Sequence, residues 1–502
     1  MGKGFGFAIL LLLLAGSMAA AQDDQSSSAP PVAVEQQNVE PFADENPPIS
    51  GVDQPSLEPH SAPESFLLPG LHFSESVESN VANTVNGSGV TSVTRGLASL
   101  TLQKLWKTDE VAMDYFGGAS YYSQGFGLQQ LQQFDIDNRV NWRRGQLGFQ
   151  DSFSYLPEGT FGFGAYGGGG AYSSGLGSLG AGLLGASAFG GQNSVFAGGN
   201  GIGVSLGLVP RLTNLGLVDV VEELSPKSSM TVTGGYGLVH FYGSLIEQSA
   251  LGGPLPQNIH FVGSSEYTGQ IAYDRALNPK DQIALSYGYQ YFNFSTEGTA
   301  FHSQVVQLMY GHRISGRMDF LVSAGPQFTG ITQKECDLPT IPVNSCAVFG
   351  GSVSSPGVSK IGAAGRASLR YRFPKTSLSL TYQRFDTSGS GIFAGAETNI
   401  AQFTLARPLT RVWDLFGDLG YSKNSELQVP GSAINATSFT TGYGGVGVHR
   451  QLGRSLRAFV SYQFNDLSLN NKCALGAACN NISNNHVGSI GLDWTPRPIR
   501  LD

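Results

Sequence analysis

Charge is scarce in this chain. Asp, Glu, Lys and Arg make up 13% of its 502 residues, where soluble globular domains carry roughly 25%. Long apolar runs are missing as well. Beyond the N-terminal segment no uninterrupted apolar stretch of about 18–20 residues occurs, so no transmembrane helix is expected. Cysteine is confined to Cys336, Cys346, Cys473 and Cys479, two local pairs inside loop-like segments. No histidine stands at ligand spacing beside either pair, which argues against a metal site. In an oxidising compartment the pairs read as Cys336–Cys346 and Cys473–Cys479 disulfides that pin loops. Catalytic signatures are lacking too. His240, His260, His302, His312, His449 and His486 are dispersed, and no G-x-S-x-G elbow occurs in a strand–turn–helix setting. The glycine runs have no P-loop lysine behind them, which excludes phosphate binding. No cofactor and no enzymatic activity are expected. A hydrolase whose site is built from distant strands is the reading these absences leave open.

Glycine, by contrast, is abundant, with 68 residues. The composition suits a β-protein with many turns and one face that needs no charge. The N-terminus, "MGKGFGFAILLLLLAGSMAAAQ", has Lys3, an apolar run from Phe7 to Leu14, and small residues ending at Ala21. That is the pattern of a secretory signal peptide, residues 1–21, cleaved before Gln22. The apolar run is too short to span a bilayer, and no cysteine follows the cleavage site to carry a lipid. Residues 22–65 hold nine acidic residues, eight prolines and no Lys or Arg. So little apolar surface cannot offset chain entropy, and the segment reads as a disordered periplasmic tether. Taking those nine acids from 37, and Lys3 from 29 bases, leaves 28 of each sign in residues 66–502. The body is neutral, so nucleic acid is not an expected partner.

From about Leu71 onward one unit recurs: a strand, a short turn, a strand, a longer polar loop. The short turns are alike: "ELSPKSS", "RALNPKDQ", "HRISGRMD", "YRFPKTS", "RPLTRVWD" and "RQLGRSLR". The long connections, such as "TSGSGIFAGAETN" and "NNKCALGAACNNISNN", are rich in Ser, Gly and Asn. Regular alternation of short and long links places all short turns at one end, as an up-and-down antiparallel sheet requires. Within strands the side chains alternate. In "NPKDQIALSYGYQYFNF" Ile283, Leu285, Tyr287, Tyr289 and Tyr291 share one face, and Ala284, Ser286, Gly288 and Gln290 the other. Asp151 breaks the alternation in "GQLGFQDSFSY", and Glu75 breaks it in "LHFSESV". About 18 such strands fit between 71–81 and 486–494, with 16 the alternative count.

Alternation alone does not say whether the greasy face meets a protein core or lipid. A meander of about 18 strands is too long for a sandwich, and closure into a barrel removes its edges. Aromatics gather near strand ends, as in "YGYQYFNF", "LRYRF" and "VSYQF", which matches the girdles of membrane barrels. The other face is rich in Gly, Ser, Thr and Gln, which suits a wet lumen. The fold class is therefore all-β: a transmembrane antiparallel up-and-down barrel over residues 66–502, after a disordered tether. The recurring "LSPKSSMTVTGGYG" and "LNPKDQIALSYGYQYF" segments resemble the porin-like outer-membrane β-barrels of Gram-negative bacteria, including uncharacterised acidobacterial ones. One feature departs from that family. Its members often end on an aromatic residue that the assembly machinery reads, whereas Trp494 lies eight residues from this C-terminus.

The resemblance implies an outer-membrane channel for passive diffusion of ions or small hydrophilic solutes. It also implies contact with outer-membrane lipid, lipopolysaccharide and the barrel-assembly machinery, and leaves a homo-oligomer open. Adhesion or recognition through the long loops is the alternative. Parity nominates the inward charges. In "QFDIDNRVNWRR", Phe134, Ile136, Val140 and Trp142 face lipid, while Asp135, Asp137, Arg139 and Asn141 face inward. Asp114, Arg366, Arg370 and Arg457 should also point into the lumen. Such charges either select solutes in a narrow pore or pair within a packed interior. The glycine-dense stretch at about 157–213 is either a surface loop or a segment folded into the lumen.

Overall fold

The computed structural model describes residues 65–81, 89–123, 127–156, 210–242, 263–294, 299–333, 335–336, 353–354, 357–373, 375–387, 394–427, 438–472 and 478–501. The signal segment, the tether to residue 64, the stretch 157–209 and the four cysteine side chains lie outside the described residues. Eighteen long strands follow one another. They begin with β1 (Phe66–Glu78), β2 (Thr91–Leu105), β3 (Asp109–Tyr122), β4 (Gly127–Trp142), β5 (Gly145–Leu156) and β6 (Arg211–Ser225). Next come β7 (Ser228–Phe241), β8 (Ser264–Asn278), β9 (Asp281–Phe294), β10 (Thr299–Ser315) and β11 (Met318–Gln333). Two short strands, β12 (Glu335–Cys336) and β13 (Val353–Ser354), form a separate ribbon. The series resumes with β14 (Gly357–Phe373), β15 (Thr376–Thr387), β16 (Ala396–Pro408) and β17 (Trp413–Glu426). It ends with β18 (Ser438–Gln451), β19 (Leu456–Lys472) and β20 (Ala478–Trp494), followed by the two-residue β21 (Ile499–Arg500).

Successive long strands pair antiparallel, and β20 returns to β1 from Leu71↔Trp494 to Glu78↔Val487, closing the barrel. The tail then continues along the same seam. Ile499 and Arg500 pair with Leu67 and Phe66, the Leu501 N–H donates to the Ser65 carbonyl at 2.9 Å, and Lys104 Nζ donates to the Leu501 carbonyl at 2.9 Å. The last strand thus ends on an aromatic, and the residues beyond it are a strap across the seam.

The repeated short turns have a common cause. Asn278 Oδ1 accepts the N–H of Lys280 (2.8 Å) and of Asp281 (3.0 Å), and Ser225 and Ser315 each accept the N–H two residues on. These side chains imitate a backbone turn, which is why Ser or Asn precedes Pro-Lys or Gly-Arg. A register shift beside each, at 223/225, 276/278 and 313/315, is the bulge that tightens the reversal.

The two faces of each strand separate cleanly. On β9 Ala284, Ser286 and Gln290 are buried, while Leu285, Tyr287 and Tyr289 are exposed. Leu71, Phe73, Leu308 and Ile490 each expose more than half of their surface. An outside this apolar is a lipid-facing surface. The chain's four tryptophans, Trp106, Trp142, Trp413 and Trp494, all stand at the short-turn end of the strands and are all exposed. Tyr155 stands ten residues above the Trp142↔Gly145 level on β5. Ten tilted residues span about 25 Å, the height of a barrel's hydrocarbon band.

Much of the glycine serves the inner wall. Phe416, Tyr443 and Phe459 point inward, and their cross-strand partners are Gly447, Gly420 and Gly491. A Cβ at any of these would overlap the ring, so each glycine lets an aromatic lie flat against the wall. Strand boundaries differ from the sequence reading mainly at the long-loop end. There β20 starts at Ala478 rather than 486. Above the hydrocarbon band both faces meet water, and the alternation that marks a strand fades.

Candidate functional site

The inner wall of the barrel holds a set of buried charges. Asp114 of β3 and Asp135 of β4 are direct cross-strand partners and both are buried. Thr101 Oγ1 donates to Asp114 Oδ1 at 2.6 Å. Asp135 accepts from the Ser152 hydroxyl and, at 3.4 Å, from Gln133 Nε2. Two residues on, Asp137 pairs with Arg139 at 2.9 Å and accepts from Gln150 Nε2 at 3.2 Å. Arg370 of β14 meets Asp319 of β11 at 2.6 Å, and Arg457 of β19 meets Asp493 of β20 at 3.4 Å. Arg366 lies on the same face of β14, opposite Ser323 and Gln383. All seven nominated residues thus fall on the inner side of their strands. Arg139, Arg370 and Arg457 each meet a carboxylate, so the paired arrangement describes these three.

Order around the barrel divides these charges. Seven strands, β5 to β11, separate β4 from β14 on one side and nine on the other, so the two stand on facing walls. One wall carries Asp114, Asp135 and the Asp137–Arg139 pair; the facing one carries Arg366 and the Arg370–Asp319 pair.

Between the walls the bore is narrowed by apolar side chains. Phe385, Ile400, Phe416 and Tyr443, from β15 to β18, form one buried cluster, and Val239 of β7 packs against it. β7 has no pairing with any of those strands, so this contact crosses the interior. Phe292, Phe294, Phe301 and Ile331, from β9 to β11, pack with Leu427 at the end of β17 and with Ala394. The wet, polar lumen expected from the Ser, Thr and Gln content is therefore interrupted by apolar bridges.

One buried group escaped the sequence reading. His72 lies on the inner face of β1 with Nδ1 2.9 Å from Asp493 Oδ1 and Nε2 3.1 Å from Ser99 Oγ. Its parity with Ser74 and Ser76 in "LHFSESV" marks it as inward, but Asp493 is 421 residues away. Among the described residues no group of three or more His, Cys, Asp or Glu side chains is placed to hold a metal ion.

No protein-family model matches the chain, and no curated protein matches it. Among solved structures it is similar to OccAB3 of Acinetobacter baumannii, at 10% identity and a TM-score of 0.39, over 86% of this chain and 99% of that one. OccK2 (OpdF) of Pseudomonas aeruginosa matches at 10% identity and a TM-score of 0.41, over 87% and 98%. The unliganded ferric citrate transporter FecA matches at 7% identity and a TM-score of 0.37, over 87% and 80%. Likeness this remote says nothing about what this chain carries.

Proposed function

We propose that the chain is an outer-membrane channel through which ions or small hydrophilic solutes diffuse passively. The observation that carries this reading is a closed barrel, apolar outside, whose inner wall sets buried carboxylates against facing arginines. Opposed charges across a narrow bore orient and filter solutes by their own charge. The short-turn end then faces the periplasm and the long-loop end the exterior, after a signal peptide is removed near Ala21/Gln22. Lipopolysaccharide and the assembly machinery are the partners such a location brings.

Refolded protein in planar bilayers should give stepwise conductance. Replacing both Asp114 and Asp135 by Asn should move the reversal potential in a salt gradient towards anion preference, because it removes negative charge from one wall. A silent bilayer, with folding verified by heat-modifiable gel mobility, would sink the channel reading. It would leave adhesion through the long loops as the better one.

A further inference from the structure

The seam where the barrel closes holds a Ser–His–Asp constellation that a channel does not need. Ser99 comes from β2, His72 from β1 and Asp493 from β20, three adjacent strands. Asp493 Oδ1 lies 2.9 Å from His72 Nδ1, and His72 Nε2 lies 3.1 Å from Ser99 Oγ. A carboxylate can only accept, so the Nδ1 proton belongs on His72 and Nε2 is left to accept from the serine hydroxyl. Arg457 Nη2 donates to Asp493 Oδ2 at 3.4 Å, so both carboxylate oxygens are held. Phe116 lies directly across the ladder from Ser99, and its ring sits 5.7 Å from that of His72. This is the order of nucleophile, base and orienting acid that activates a serine.

Ser99 also has an apolar neighbour surface. Leu97, two residues before it, packs with Phe116 and Leu131 in a buried cluster on the same wall. Of the three polar members Ser99 keeps the most exposure, 9% against 6% for His72 and 0% for Asp493.

The geometry points to acyl transfer: Ser99, His72 and Asp493 form an esterase centre for acyl esters of hydrophilic alcohols small enough to enter the bore. Ser99 Oγ bonds to the acyl carbon while His72 Nε2 takes its proton. The carbon–alkoxy bond then breaks, and the alcohol leaves with that proton. Water attacks the acyl-serine, passes a proton through His72 back to Ser99 Oγ, and the carboxylic acid departs. Leu97, Phe116 and Leu131 would hold the acyl chain. Arg457 holds the Asp493 oxygen that His72 does not use, which fixes the acid end of the relay.

The test is covalent labelling of the full-length refolded protein with a fluorophosphonate, followed by peptide mapping. The expected result is one adduct on Ser99, abolished in Ser99→Ala and slowed by roughly 10³-fold in His72→Ala. Butyrate-ester hydrolysis should fall in step. Because mapping on the unmodified chain locates the adduct, the result does not depend on either variant folding. No adduct on Ser99, or labelling unaffected by His72→Ala in a folded barrel, would overturn the proposal and return the three residues to a structural hydrogen-bond network. Conductance is recorded separately, so loss of the esterase reading leaves the channel reading standing, and the reverse.

Discussion

Asp151 stands on the outward face of β5 between Phe149 and Phe153, six residues above the Trp142↔Gly145 level. That places a carboxyl group about 15 Å above one interface, inside the hydrocarbon band. It is tolerated because Asn214 of β6 donates Nδ2–H to Asp151 Oδ1 at 2.8 Å. The same device serves Glu75, whose carboxylate accepts from Thr94 Oγ1 at 2.6 Å and from the Ser92 hydroxyl. Both residues that broke the sequence alternation are therefore outward carboxylates matched by a donor on the next strand. Asn214→Leu should lower stability by about 1–3 kcal/mol, since it leaves the Asp151 oxygen without its donor in lipid. Asp151→Leu/Asn214→Leu together should restore or exceed the original value. Urea midpoints in lipid vesicles would check both, and a double variant weaker than the single one would refute this account.

At the scale of single elements, the short turns carry much of the folding information. The turn before β9 adds a charged clasp to its Asn278 cap. Tyr310 donates its hydroxyl to Asp281 Oδ1 at 2.5 Å, His312 Nδ1 lies 2.6 Å from the same oxygen, and Asn278 Nδ2 donates to Oδ2 at 2.6 Å. The Tyr310 hydroxyl first, then His312 and Asn278, hold the Asp281 carboxyl down to about 2 from its ordinary 3.8. A carboxyl depressed on folding contributes stability that is present above about pH 4 and is lost as pH falls through about 2. The gap in urea midpoint between the original chain and Asp281→Asn should therefore hold from pH 5 upward and close towards pH 2. A gap that persists at pH 2 would assign the effect to turn geometry alone. Gly–aromatic pairs play the matching part on the inner wall, where Gly447, Gly420 and Gly491 seat Phe416, Tyr443 and Phe459.

For the whole molecule the decisive contacts join strands far apart in the chain. Val239 of β7 meets the Phe385–Ile400–Phe416–Tyr443 cluster from across the bore. Val239→Ala with Phe385→Ala should raise single-channel conductance roughly twofold, because flow is limited by the narrowest section. Unchanged conductance in the folded double variant would place the limiting section elsewhere. The apolar outside, the tryptophans at the short-turn end and the closure of β20 on β1 are properties of this scale too.

The eighteen strands, their antiparallel order and the face each side chain takes were legible in the amino-acid sequence. They follow from local causes: a period of two, short turns with Ser or Asn caps, and a solvent that rewards one greasy face. Parity placed Asp114, Asp135, Asp137, Arg139, Arg366, Arg370 and Arg457 on the inner side, but it could not say which of them meet. That depends on register and stagger around a closed ring, where one residue of slip changes every partner. Only the tertiary structure could therefore bring Val239 across the bore, set Arg370 against Asp319, and join His72 to Ser99 and to Asp493, 421 residues away.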